Sequence, residues 1–154
     1  MEYTLRPALV KDMKQVHALL LESATAGEML PRSLSNLYSH TQDFVLIKGE
    51  GGTVAGCCAL ALIWDNLAEI RSLFVRQDLR RQGWGHRLVE ACLEKARSLG
   101  VSRVFTLTYQ VNFFSTLSFM EIDMSTLSHK VWVDCVHCPK FPDNCDETAM
   151  QRDI

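Results

Sequence analysis

The stretch Leu73-Phe74-Val75-Arg76-Gln77-Asp78-Leu79-Arg80-Arg81-Gln82-Gly83-Trp84-Gly85-His86-Arg87-Leu88 carries the densest chemistry in this 154-residue chain. An apolar run that reads as a strand ends in a basic loop, and two glycines then open a run with helical apolar spacing. A helix start presents backbone N–H groups without intrahelical partners and a partial positive charge, which suits a phosphate. Gly83 and Gly85 let backbone approach such a group with no Cβ in the way, and Arg80 and Arg81 add charge for a diphosphate. A lone Gly-x-Gly more often marks a solvated basic loop with a helix cap. Here strand, arginines and helix stand in register, which favours the phosphate cradle. The dinucleotide fingerprint is not met, because Leu88 stands at its third glycine. The phosphate-loop ending Gly-Lys-Ser/Thr is absent as well.

Composition bounds what such a cradle serves. The chain has 16 basic and 18 acidic residues, a net charge of −2 and an isoelectric point near 6.2. That balance argues against a protein that coats nucleic acid or an anionic membrane. Five of the 16 basic residues (Arg71, Arg76, Arg80, Arg81, Arg87) nevertheless fall within seventeen positions, against the single acid Asp78. A local cationic patch on a slightly acidic chain points to a small anionic ligand. The segment Met1–Pro7 shows no basic region ahead of an apolar one, and no apolar run approaches the ~18 residues of a membrane span. A cytoplasmic globular chain is the expectation. Its hydrophobic fraction of 47% suits a single domain over residues 1–154, ending in a cysteine-containing tail, 134–154.

The elements that must hold this loop follow from periodicity. Tyr3–Arg6 alternates weakly as a first strand, closed by Pro7. A helix is predicted over Val10–Ser23, with Val10, Met13, Val16, Leu19 and Leu20 on one face, and a second over Ser33–His40. Phe44–Lys48 and Thr53–Trp64 read as strands around the turn Gly49–Gly52, and Asp65-Asn66 leads into the strand Leu67–Val75. The helix Gly83–Leu99 buries Leu88, Val89, Cys92, Leu93, Ala96 and Leu99, with Gly100 at its C-terminal cap. Arg103–Thr108 is a strand, Val111–Leu117 a short helix, Phe119–Ile122 the start of a strand and Val131–Val133 the last one. From Cys135 onward the tail reads as polar and irregular. A meander followed by a βαβ crossover implies an α+β fold with a mixed sheet.

The loop and its flanks resemble the acyl-CoA signature of the GNAT N-acetyltransferase family, Gln/Arg-x-x-Gly-x-Gly/Ala, with Arg80, Gly83 and Gly85 in its three fixed places. The resemblance covers roughly Tyr3 to Phe119. It implies a mostly antiparallel central sheet flanked by helices, whose fourth and fifth strands splay to admit acetyl-CoA. Backbone groups of Leu73, Phe74 and Val75 would then pair with the pantetheine arm, and the N–H groups of Gln82, Gly83, Trp84, Gly85 and His86 would hold the pyrophosphate. Glu69 lies on the strand where this family often keeps its base; the alternative is a surface carboxylate paired with Arg71 or another cation. The family's Phe-Tyr-x-x-x-Gly-Phe segment is Phe113-Phe114-Ser115-Thr116-Leu117-Ser118-Phe119 here. Phe114 cannot protonate a departing thiolate, so Tyr109, just past the fifth strand, is the stand-in acid or only a pocket wall. Ser118 in place of glycine suggests a slightly different turn. The implied chemistry is direct acetyl transfer to a neutral amine through a tetrahedral intermediate, with a strand N–H facing the oxyanion. Cys92, on a helix's apolar stripe, is a poor covalent carrier.

Leu30-Pro31-Arg32-Ser33-Leu34, Leu127–Trp132 and the Cys-x-x-Cys-Pro-Lys-Phe tail resemble the short, single-domain bacterial N-acetylglutamate synthases within this family. That resemblance implies an amino-acid acceptor, L-glutamate, and a place in arginine biosynthesis. Glutamate brings two carboxylates, each needing a cationic or N–H-rich anchor. Arg32, Ser33, Arg71 and Lys130 are the candidates, although each cation alone reads more readily as solvated surface charge. Glutamine, a polyamine or a protein N-terminus remain alternative acceptors, and a non-catalytic acyl-CoA-binding module is a further alternative. Of the six cysteines, Cys57, Cys58 and Cys92 read as small core residues. Cys135, Cys138 and Cys145, with His129, His137 or Asp146, are able to hold zinc, but a second Cys-x-x-Cys is missing and reduced thiols are favoured. Oligomeric state is open, with a homodimer compatible.

Overall fold

A computed structural model describes residues 2–27, 32–127 and 147–154. Contacts within the chain group into two compact units, Met1–Leu60 with Ile70–Lys95, and Ala61–Glu69 with Ala96–Ile154.

In the first unit, β1 (Thr4–Pro7) leads through a tight 3-10 turn, Val10–Asp12, into α1 (Met13–Thr25). Met13, Val16 and Leu20 follow helical spacing and are buried. They pack with Leu37, Phe44 and Cys57 in one core. Each such side chain removed from water contributes about 1.5–3 kcal/mol. Val10, expected on this face, is 62% exposed, because the 3-10 turn puts it out of phase with the helix that follows. Asp12 is buried but satisfied: its carboxylate accepts the Leu9 N–H at 2.9 Å and pairs with Lys48 Nζ at 3.0 Å. The short α2 (Leu34–Ser39) starts at Ser33, whose hydroxyl accepts the Asn36 N–H, a standard N-cap. β2 (Phe44–Lys48) runs antiparallel to both β1 and β3 (Val54–Trp64). α3 (Trp84–Ser98) buries Leu88, Val89, Cys92, Leu93 and Ala96. Leu99, expected on that stripe, is 54% exposed because the helix stops at Ser98, and the Gly100 N–H bonds back to the Arg97 carbonyl at 3.0 Å.

β4 (Leu67–Val75) follows β3 through the two-residue turn Asp65-Asn66, a connection that only antiparallel neighbours share. In the second unit β4 pairs in parallel with β5 (Arg103–Thr108) at Ala68↔Val104 and Glu69↔Phe105. α4 (Val111–Thr116) and β6 (Met120–Glu121) follow. The last strand, β7 (Thr148–Asp153), corrects the sequence reading of an irregular tail: it lies between β5 and β6, antiparallel to both. Two ladders, rather than its own sparse apolar pattern, hold it there. The described strands form one mixed, mostly antiparallel sheet in the order β1-β2-β3-β4-β5-β7-β6. The expected strand Val131–Val133 and Lys130 lie outside the described residues. No helix among those described is long and apolar enough to cross a membrane.

Candidate active site

The basic loop is tied to itself before it reaches α3. Arg76 donates Nε–H and Nη2–H to the two carboxylate oxygens of Asp78 at 2.6 and 2.9 Å, and Nη2–H to the Tyr3 hydroxyl at 2.8 Å. The hydrogen bond from Arg76 holds the Asp78 carboxyl below its usual range, and the bond to Asp78 in turn raises the guanidinium's pKa. Gln82 donates to the Asp78 carbonyl at 3.1 Å. Arg81 and Gly83 then both take left-handed backbone, at φ 65° and 84°. Such residues shape anion-binding turns, and only at Gly83 is the conformation costless. The Arg87 N–H reaches the Gly83 carbonyl at 3.1 Å, so the amides of Trp84, Gly85 and His86 stand ahead of the first full helical bond. Space above Gly83 is open, with nothing within 4 Å of where a Cβ would stand. Left-handed backbone at Arg81 and Gly83 thus stands directly before the first amides of α3.

Arg80 is exposed but tethered. Its Nε–H bonds the Val75 carbonyl at 2.8 Å and its guanidinium lies 5.3 Å from the Phe74 ring centroid, so it reaches back over the end of β4. Arg81, Gln82, Gly83 and His86 are exposed, while Trp84 stacks under Arg87 at 4.2 Å and meets Tyr3 edge-on at 6.3 Å.

Within β4, Ser72 has φ 56°, a left-handed residue in the interior of a strand. Its hydroxyl accepts the Arg32 Nη1–H at 2.8 Å, and its carbonyl accepts the Cys57 thiol at 3.3 Å. Arg32 also donates Nε–H to Asn36 Oδ1 at 2.9 Å and lies 5.3 Å from the centroid of the Phe44 ring. Arg32, forty residues away in sequence, is thus hydrogen-bonded to β4, the strand that leads into the basic loop. Ser33 is engaged as the cap of α2, and Arg71 is half-buried next to Ser72. Burial pushes the Cys57 thiol up to about 12, partly countered by Arg32, so it stays protonated. The thiol of Cys58 is raised too, first by its hydrogen bond with Cys92 and then by burial.

In the second unit Glu69, 9% exposed, sits in the parallel ladder opposite Phe105, and Tyr109, 38% exposed, follows β5. Phe114, where the family's tyrosine was expected, is buried in edge-on contact with Phe113 and Phe119. Ser118 keeps φ 65°, the backbone a glycine would favour, so its turn needs no departure from a glycine's. Among the described residues no group of three His, Cys, Asp or Glu side chains could hold a metal ion. The cysteines, histidines and aspartate considered for zinc, Cys135, Cys138, Cys145, His129, His137 and Asp146, lie outside those residues.

Residues 13–121 match the acetyltransferase (GNAT) family. An uncharacterized N-acetyltransferase of Chlorobaculum tepidum is 38% identical over 149 residues, covering 97% of this chain and 95% of that protein. The chain belongs to the GNAT family. An amino-acid acetyltransferase of Mycobacterium tuberculosis is 33% identical over 130 residues, 82% of this chain and 74% of that one. Among solved structures, a Mycobacterium tuberculosis protein in complex with CoA superposes with a TM-score of 0.83 at 26% identity, over 98% of this chain and 99% of that one. The N-acetylglutamate synthase of Neisseria gonorrhoeae, complexed with coenzyme A and N-acetyl-glutamate, gives 0.89 at 24% identity and shares the fold; this chain spans 35% of its length. This GNAT protein is an N-acetyltransferase that uses acetyl-CoA. Sequence reasoning alone missed Ser72, Cys57, Asn36 and Phe44 around Arg32. No residue type announces the left-handed bend at Ser72, since neither glycine nor asparagine stands there.

Proposed function

We infer that this acetyltransferase works as a single domain and transfers acetyl to the α-amine of L-glutamate, an arginine-biosynthetic reaction. The observation that carries this reading is Arg32, held by Asn36 of α2 and by Ser72 of β4, the strand that leads into the cradle. A fixed guanidinium there suits a carboxylate-bearing acceptor and would repel a polyamine. The relative named amino-acid acetyltransferase supports the same acceptor class.

Acetyl-CoA supplies the acetyl group as a thioester. On the protein side, Arg80, Arg81 and the amides of Gln82 to His86 hold the pyrophosphate, and the edge of Leu73, Phe74 and Val75 holds the pantetheine. A β4 amide polarises the acetyl carbonyl. Glu69 takes the proton that the acceptor's ammonium must lose before its nitrogen can attack. Tyr109 returns a proton to the leaving thiolate, a modest demand, since a thiol of ordinary pKa near 8.5 leaves readily. Arg32, with Ser33, Arg71 and Lys130, anchors the acceptor's carboxylates.

Coenzyme A release from acetyl-CoA, measured against each amino acid in turn, tests this. Glutamate gives the highest kcat/KM, and Arg32→Ala raises the glutamate KM with the acetyl-CoA KM unchanged. A higher kcat/KM for glutamine or another amine overturns the acceptor while leaving the transferase in place.

A further inference from the structure

Ser72 is a conformational outlier with an unusual set of partners. A non-glycine residue at φ 56° is held against an intrinsic cost, and such outliers persist only where their surroundings over-determine them. Two polar groups of Ser72 are engaged at once: the hydroxyl by Arg32 and the carbonyl by the Cys57 thiol. Cys57 is wholly buried on β3, so this donor cannot turn to solvent. A straight strand would point residue 72 differently and would present no hydroxyl to Arg32. The bend also falls one residue before the Leu73–Val75 edge and three after Glu69.

The contacts of Arg32 include three of different kinds: Ser72 on Nη1, Asn36 on Nε and the Phe44 ring beside the guanidinium. Ser72 holds Nη1 while Asn36 holds Nε, so the two bonds together orient the planar fork, and a planar fork recognises a carboxylate only in one orientation.

We propose that Ser72 is a positioning residue for acceptor recognition: its hydroxyl sets the orientation of the Arg32 guanidinium, and the Cys57 thiol holds the left-handed bend that puts the hydroxyl there. The proposal rests on Arg32 as the carboxylate anchor. It adds that acceptor selectivity is built into the β4 backbone and not into Arg32 alone.

The test is a double-mutant cycle in the full chain, read as KM and kcat for the amino acid that gives most coenzyme A release. Ser72→Gly keeps the left-handed backbone available and removes only the hydroxyl. It raises the acceptor KM about tenfold, the scale of one hydrogen bond to a charged group, with the acetyl-CoA KM and kcat close to wild type. In the Arg32→Ala background the same change adds nothing. Cys57→Ala raises the acceptor KM, and Cys57→Ser, which restores a donor, recovers most of the loss. Should Arg32→Ala leave the acceptor KM unmoved, the anchor reading fails. Should Arg32→Ala raise it while Ser72→Gly does not, or should Ser72→Gly act equally in both backgrounds, the anchor stands and the positioning role is overturned. Absence of release with every carboxylate-bearing amine overturns both.

Discussion

Replacing Gly83 by alanine separates the conformational demand of the cradle from its space. At φ 84° alanine meets the left-handed penalty, about 1–2 kcal/mol. No steric cost adds to it, because nothing lies within 4 Å of the new Cβ. For a chain of this size each kcal/mol moves Tm by roughly 2–4 °C, so the variant melts about 2–8 °C lower. The alternative open to the chain is to flip residue 83 to negative φ and turn the amides ahead of α3 away from the ligand. Losing one charge-assisted hydrogen bond of about 1.5–3 kcal/mol then raises the acetyl-CoA KM by about tenfold to a hundredfold. Thermal melts with and without acetyl-CoA, beside steady-state kinetics, read both effects. Gly83→Asn is the companion, since asparagine tolerates left-handed backbone; it keeps more of the Tm. If Gly83→Ala lowers Tm yet leaves the acetyl-CoA KM and the ligand-induced rise in Tm unchanged, the loop before α3 is not the phosphate cradle.

Gly56→Ala acts by collision instead: its Cβ would stand 2.5 Å from Ile47 Cδ1 and 3.0 Å from the Phe74 carbonyl. Overpacking of about 1–3 kcal/mol lowers Tm by several degrees and, by pushing on β4, raises the acetyl-CoA KM; an unchanged melt would show that Ile47 yields freely. Glu69→Gln lowers kcat by about 10²–10⁴ with a nearly constant acceptor KM, and its residual rate climbs with pH as the neutral amine grows; a wild-type pH profile would remove Glu69 from proton transfer. Cys57, Cys58 and Cys92 are buried, and with the Cys57 thiol at about 12 they resist iodoacetamide at pH 8 until the protein is denatured, as peptide mapping would detect. The same raised pKa makes stability complete below the unfolded thiol's value of 9.0 and lost as pH rises toward 12, so Tm falls over that window, less steeply in Cys57→Ala.

What the sequence discloses and what it hides divide along a physical line. The bounds of β2, β4 and β5 follow from apolar runs closed by turn residues, and these are local signals. The loop proposed as the cradle is legible for the same reason: Gly83, the arginines and the start of α3 are contiguous, so one window contains all of it. β7 is hidden because Thr148–Asp153 places its two buried side chains, Ala149 and Met150, side by side instead of alternating. Its stability comes from hydrogen-bonding β5 on one edge and β6 on the other, neither of which is near in sequence. The acceptor side is hidden more deeply. Arg32 is singled out by its segment, but Phe44, Cys57 and Ser72 lie on three different strands and are unremarked alone: a core ring, a buried thiol and a serine in a strand. Only the bend at Ser72 makes them one arrangement, and a bend in a non-glycine residue is decided by its partners, not by its own preference. A cofactor site read by backbone amides can therefore be written in one loop. A site that selects among acceptors must be assembled from distant side chains, which is why Ser72, and not another arginine, is where substitution should change the choice of acceptor without changing the use of acetyl-CoA.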